Sequence, residues 1–261
     1  MKKLIYYIAM SILCILPYSC SLDEEARSEM EKKNYMTNAK EAQDVLLGVY
    51  RTTVEDAAYG YHLSFLFNMG TDISQGEGSD ITNYRIIVNN AFPTTQVEIQ
   101  QTWQVLYKGI YRANDFLERI SGKIETYNTT DKKIATLYIA EARALRAMFY
   151  FELVRFYGDI PLYKEAITSV EASKVKQSPA SEVYDFIYQD INFAVDNLPD
   201  IAYGSGHAVK GSAQALKARI ALFQGDWKTV ENITRELIQS GRYRLADTYQ
   251  SIFIKREGQK D

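Results

Sequence analysis

From residue 38 onward, apolar side chains recur at helical spacing. Ala42, Val45, Leu46, Val49 and Tyr50 stand at i, i+3, i+4, i+7 and i+8, which gathers them on one face of a helix. Trp103, Leu106, Tyr107, Ile110, Tyr111, Leu117 and Ile120 repeat the pattern, with Asn114 on the same face and Ser121-Gly122 as a stop. From about Asp131 to Tyr157 the chain is apolar almost all round, which predicts a central helix buried on every side, ended by Gly158 and Pro161. Ser178-Pro179 reads as a helix start with Ser as cap and Pro in the first turn; Val183, Ile187, Ile191, Ala194 and Leu198 then share one face. Two further helices, about Lys210 to Phe223 and Trp227 to Ser240, meet at Gly225-Asp226. The first is small on one face through Ala213, Ala215, Ala218 and Ala221. The second carries Val230, Ile233 and Leu237, with Gly241 placed to close it. Between the first two helices, Tyr59 to Thr95 is rich in Gly, Ser, Asn and Thr, a long irregular loop of a kind that often carries function.

No segment beyond the N-terminal leader alternates as a strand does, so the expected fold is all-α. Paired helices with small residues in one and a Gly-Asp turn between them point to a tetratricopeptide-like helical repeat, although an ordinary helical bundle would bury the same faces.

The first twenty residues follow a different rule. Lys2 and Lys3 precede the uncharged run Leu4 to Leu16, which falls short of the roughly 20 residues a bilayer span needs. A charged start before a short apolar core reads as a signal peptide rather than a buried helix, since acidic, polar sequence follows at once. Only Cys14 and Cys20 are present, and Cys14 lies inside the apolar run. Cleavage before Cys20 leaves a single cysteine at the new N-terminus, with no internal disulfide to form. Ser19-Cys20 resembles a lipobox, which implies diacylglycerol on the Cys20 thiol and a second acylation at its amine, enough for stable anchoring. Pro17 and Tyr18 depart from the stricter pattern. The expected organisation is a leader over 1–19, a lipid-anchored tether over 20–37 and a helical domain over 38–261.

Composition narrows the function. The chain is 46% hydrophobic and 24% charged with a formal net charge of −3, and shows no basic stripe of the sort nucleic acid requires. It has only two histidines, His62 and His207, and they lack metal-ligand spacing. No Gly-x-Ser-x-Gly is present, and the Gly70 to Asp80 stretch lacks the Lys-Ser/Thr of a phosphate loop. Asp72, Glu77 and Asp80 do not match a calcium loop. Nothing marks out a catalytic carboxylate pair. The chain therefore reads as a non-enzyme with no cofactor and no metal. A surface glycoside hydrolase and an envelope scaffold remain as alternatives.

Four blocks carry a family resemblance. Trp103 to Asn114 is similar to a W-x-x-L-Y-x-x-I-x-R-A-N signature. Glu141-Ala142-Arg143-Ala144-Leu145-Arg146-Ala147, continuing to Tyr157-Gly158-Asp159-Ile160-Pro161-Leu162, is similar to E-A-R-x-L-R-A…Y-G-D-x-P-L. Glu182-Val183-Tyr184 with Leu198-Pro199, and Gly225-Asp226-Trp227 with Ser240 to Leu245, complete the set. Together they resemble the SusD/RagB family, whose surface-export signal the acidic run Asp23-Glu24-Glu25 also resembles. The resemblance implies a lipid-anchored outer-membrane binding protein that sits as a lid on a SusC/RagA-type TonB-dependent transporter and takes glycan or peptide ligands. It covers the N-terminal half of a typical member, so an incomplete member lacking the C-terminal half is expected, functional or not. The residues themselves read structurally. Trp103 is expected to pack, Asn114 to satisfy backbone groups, and Glu141, Arg143 and Arg146 to form inter-helix ion pairs, because an unpaired buried charge is costly. Candidate ligand contacts lie in the long loop: Asp80, Tyr84, Arg85 and Phe92, aromatic faces for sugar rings and polar tips for hydroxyls.

Overall fold

The structure is a computed structural model that describes residues 35–71, 87, 89, 91, 93–167 and 169–253. Within it the chain forms α1 (Ala39–Thr53), α2 (Val97–Lys123), α3 (Thr129–Tyr157), α4 (Ala180–Asn197), α5 (Lys210–Phe223) and α6 (Trp227–Gln239). The helices pack in chain order, each on the next, and α3 also touches α1. This nearest-neighbour stacking is the logic of a tetratricopeptide-like repeat.

Local chemistry sets the helix ends. Asn38 caps α1 by accepting from the Glu41 N–H at 3.0 Å, and Glu41 Oε2 reaches back to the Thr37 N–H at 2.8 Å. Asn128 caps α3 through the Asp131 N–H, two residues earlier than the apolar pattern alone places its start. At the far end Gly158 takes φ +72°, a left-handed conformation that a side chain would strain, and turns the chain out of α3. Ser178 does not cap α4. It pairs instead with Ile160 in a two-residue antiparallel bridge, Ile160–Pro161 against Gln177–Ser178. The exposed N-terminal N–H of Ala180 is taken by Asp159 Oδ1 at 2.9 Å. The Gly158-Asp159-Ile160-Pro161 turn therefore closes one helix and caps the next.

Part of the expected long loop lies among the described residues. Residues Asp56–Gly60 and His62–Leu66 wind into two wide π-type turns; Ala58 inside the first departs from helical geometry at φ −107°, ψ −129°, and Tyr61 separates the two.

The core centres on α3. Ala140, Ala142, Ala147, Phe149, Tyr150, Phe151 and Leu153 are all fully buried there. Small residues let the neighbours approach. Gly109 of α2 lies so close to the Phe149 ring that a Cβ in its place would stand 2.5 Å from it. On α5, Ala213, Ala218 and Ala221 are buried as the small face requires, whereas Ala215 is exposed. Along α6 only Ile233 is buried, while Trp227 and Ile238 are 67% and 76% exposed.

The buried charges of α3 are held by specific partners. Arg146, 6% exposed, makes a two-pronged pair with Asp190 of α4, Nε to Oδ2 at 2.7 Å and Nη2 to Oδ1 at 2.8 Å. Its Nη1 donates to Asn114 Oδ1 at 2.6 Å and to the Lys164 carbonyl at 3.2 Å. Asn114 Nδ2 in turn donates to the carbonyls of Tyr163 and Glu165, both at 2.9 Å. Arg143 departs from the expected ion pair. Its guanidinium lies 4.1 Å over the Phe193 ring, and its buried Nε has no hydrogen-bond partner among the described residues.

Two stability outcomes follow. Gly109→Ala should destabilise the protein by about 1–3 kcal/mol, because forcing a methyl into a filled interface outweighs the gain of up to about 1 kcal/mol from better helix propensity. A urea melt measures the difference. Arg146→Ala strands Asp190 and should cost about 3–5 kcal/mol, and the double change Arg146→Met with Asp190→Leu should recover much of that loss. A double-mutant cycle by thermal melting checks the coupling.

Candidate functional site

Aromatic residues flank the core face of α2. Trp103, Tyr107 and Tyr111 follow at i, i+4 and i+8, one step to the side of the buried positions Leu106, Ile110 and Ala113. Trp103 is half-buried rather than fully packed, and Tyr111 is exposed. The end of α3 and the segment after it add Phe156, Tyr157 and Tyr163, so that rings meet in sequence. Phe67 and Phe156 centroids are 4.9 Å apart, Tyr157 and Trp103 4.9 Å, Trp103 and Tyr107 4.8 Å, Tyr107 and Tyr163 5.8 Å. The Tyr157–Trp103 and Tyr107–Tyr163 contacts are edge-on and the other two tilted, arrangements that suit the ring quadrupoles.

Three phenols of the row are tied down by their own hydroxyls. Tyr107 donates to the Pro161 carbonyl at 2.7 Å, Tyr157 to the Ile99 carbonyl at 2.7 Å and Tyr163 to the Ser173 carbonyl at 2.8 Å. Burial pushes the Tyr107 and Tyr157 hydroxyls well above the ordinary phenol range, so they stay protonated donors. The rings are thus fixed faces rather than mobile side chains. Two cavities open beside them. One, about 740 Å³, lies between Trp103, Phe156 and Tyr157 on one side and the loop ends Gly70 and Thr94 on the other. The second, about 200 Å³, lies between Trp103, Tyr107, Tyr111 and Tyr163. The larger falls within the roughly 300–1,000 Å³ of small-ligand pockets. Trp103 borders both.

The other polar clusters are internally satisfied. Glu141 of α3 is fully buried and accepts from the hydroxyls of Tyr50 and Tyr203, while His207 Nδ1 lies 2.9 Å from its Oε2. The His207 Nε2 meets the Gln43 amide at 3.0 Å, and its ring stacks on Tyr138. Burial first and the carboxylate second push the Tyr50 and Tyr203 phenols upward. This cluster clamps the loop before α5 onto α1 and α3. Glu152, also fully buried, accepts from the Tyr59 hydroxyl at 2.7 Å and pairs with Arg155. A wide polar cavity of about 830 Å³ is lined by Glu55, Asp56, His62 and Lys108, and of its two acids Glu55 is already paired with Lys108 at 2.9 Å and Arg112 at 3.3 Å. Burial lowers the His62 pKa, which favours a neutral ring bonded to Thr102 at 2.9 Å.

The residues marked out in the sequence therefore separate into groups. Asn114 and Arg146 share one buried network, Glu141 joins a second, and Arg143 stacks alone on Phe193. Gly158 and Pro161 shape the turn after α3, where Pro161 lends its carbonyl to Tyr107. Trp103 faces the cavities. Cys20, Asp80, Tyr84, Arg85 and Phe92 lie outside the described residues. Phe67, Phe156, Tyr157 and Tyr163 were not singled out as a group, because their partnership is tertiary. Among the described residues no cluster of His, Cys, Asp or Glu could hold a metal ion, and no helix is long and apolar enough to cross a membrane.

Comparison with known proteins agrees with this architecture. A SusD homologue from Bacteroides thetaiotaomicron superposes with a TM-score of 0.78 at 51% identity, covering 88% of this chain and 46% of that one. A laminarin-binding SusD-like protein superposes with a TM-score of 0.72 at 31% identity, covering 83% and 48%. The SusD-like protein P25 of Formosa agariphila is 23% identical over 265 residues, which are 97% of this chain and 49% of the relative. The chain thus spans about half the length of the curated relatives it matches most fully. A family model described as SusD-like, starch-binding and associating with the outer membrane matches residues 21–222, so the chain belongs to the SusD-like family.

Proposed function

We propose that the protein is a lipid-anchored component of the outer-membrane surface that captures glycans or other oligomeric nutrients and passes them to a SusC/RagA-type TonB-dependent transporter. The observation that carries this reading is the fixed aromatic row of Trp103, Tyr107 and Tyr157 beside a cavity of about 740 Å³. Sugar rings present apolar C–H faces that stack on such surfaces, and rigid rings lose little entropy when a ligand arrives. The laminarin-binding neighbour and the family's description as starch-binding support a carbohydrate ligand. Outer-membrane association of the family supports the location. The leader and Cys20 supply the anchor, with two or more acyl chains giving stable attachment where one would not.

The reading is of a binder rather than a catalyst. The buried carboxylates Glu141 and Glu152 are enclosed by tyrosine, histidine and arginine partners, an arrangement that holds charge in place and leaves no open pair across a cleft. Asp80, Tyr84, Arg85 and Phe92 belong to the loop whose ends, Gly70 and Thr94, line the larger cavity, and they remain proposed ligand contacts.

Cys20→Ala is expected to release the protein from the membrane fraction and to remove acyl mass from its N-terminal peptide; unchanged fractionation would overturn the anchor. In affinity gels containing laminarin or starch, the protein should be retarded in proportion to polysaccharide concentration. Alanine at Asp80, Tyr84, Arg85 and Phe92 together should weaken that retardation. Absence of retardation on a broad glycan panel, with co-purification of other envelope proteins instead, would favour the scaffold reading.

A further inference from the structure

We infer that residues 199–210 form a latch that opens as a unit, without unfolding the helices it joins, by withdrawing the His207 ring from a seat that α1 and α3 keep formed. The seat takes a flat polar ring that donates to a carboxylate on one edge and accepts from an amide on the other. It stands apart from the aromatic row and does not depend on the glycan-binding reading.

Three observations carry it. First, the loop is closed on itself. The Lys210 N–H donates to the Pro199 carbonyl at 2.8 Å, so its two ends meet, the form of an Ω-loop. The helices it connects, α4 and α5, pack directly on each other, and their positions are set without it.

Second, what holds the loop down converges on one point. Tyr203 donates its hydroxyl to Glu141, and His207 Nδ1 faces the two oxygens of the same carboxylate at 2.9 and 3.1 Å. The Ala208 N–H donates at 3.0 Å to the Tyr50 hydroxyl, which itself donates to Glu141. Elsewhere the loop buries little. Asp200, Ala202, Ser205 and Gly206 are exposed, and Ile201 is 80% exposed. The Asp200–Arg242 pair at the base lies at the surface, where such pairs contribute little. A segment with few buried apolar contacts opens at low cost relative to the core.

Third, the seat is built from parts that stay when the loop leaves. Gln43 and Tyr50 share a face of α1, Tyr138 and Glu141 share a face of α3, and the Tyr50-to-Glu141 bond joins the two helices directly. His207 enters this seat as a ligand would. Its ring stacks on Tyr138 with centroids 6.1 Å apart and meets Tyr50 edge-on. A carboxylate only accepts, so Nδ1 carries the hydrogen toward Glu141, and Nε2 accepts from the Gln43 amide at 3.0 Å. Both ring nitrogens are matched by polar groups placed to orient them, as in a ligand pocket.

Amide exchange at single-residue resolution on the full-length protein tests the latch. The Ala208 N–H is protected through Tyr50 only while the loop is down, whereas the Lys210 N–H is protected by the loop's own base. In the parent, Ala208 should exchange at least roughly tenfold faster than Lys210 and the amides of α3. Tyr203→Phe removes one hydrogen bond to a buried carboxylate. It should speed Ala208 exchange by a further factor of about ten or more and leave Lys210 and α3 unchanged. Calorimetry tests the seat. His207→Gly should empty it without unfolding the protein, and 4-methylimidazole, the histidine side chain as a free molecule, should bind that variant saturably and the parent far more weakly. Ala208 exchanging in step with α3, or unmoved by Tyr203→Phe, overturns the latch. A folded His207→Gly protein that ignores 4-methylimidazole overturns the seat. A His207→Gly protein that no longer folds overturns both, since His207 is then an ordinary member of the core.

Discussion

One guanidinium holds together the parts on which the rest is built. Arg146 sits in the most enclosed helix and joins α3 to α4 through Asp190, to α2 through Asn114 and to the crossing segment through the Lys164 carbonyl. A charge in that position is tolerated only because every prong finds an acceptor, and removing one partner leaves the others exposed to the full cost of burial. Asn114 extends the network by fixing the carbonyls of Tyr163 and Glu165. Tyr150 adds a further link, donating to the Tyr163 carbonyl and accepting from the Tyr163 N–H, both at 2.8 Å. The backbone that carries the Tyr163 ring is therefore pinned from both sides. A structural charge network thereby sets the position of a ring in the aromatic row.

Much of the helical frame was legible in the sequence, since apolar periodicity and Gly, Pro and Asn punctuation are local signals. The buried face of α4, Val183 through Leu198, lies where its spacing places it. Misreadings came where tertiary contacts decide. Ser178 has the chemistry of a cap, yet the bridge to Ile160 turns it away, and Asp159, which is distant in sequence, serves instead. Arg143 and Arg146 look equivalent in the chain. Only the geometry of α4 shows that one meets a carboxylate and the other a phenyl ring.

The aromatic row illustrates the same limit. A stripe at 103, 107 and 111 adjoins the core stripe by a single helical step, and periodicity cannot tell whether such a stripe is covered. Its other members come from residues 67, 156, 157 and 163, which no window brings together. The hydroxyl-to-carbonyl bonds that immobilise the rings likewise span up to 58 residues of sequence.

The sequential stacking of the helices bears on how the molecule opens. α3 is buried on nearly every side, whereas α6 buries a single residue and packs chiefly on α5. Stability is then graded along the chain, and amide hydrogens of α6 exchange through local fraying long before those of α3, whose release requires global unfolding. The aromatic row lies on α2 and α3, at the slow-exchanging end of that gradient. Motions at α6 can run their course while the ring faces keep their spacing.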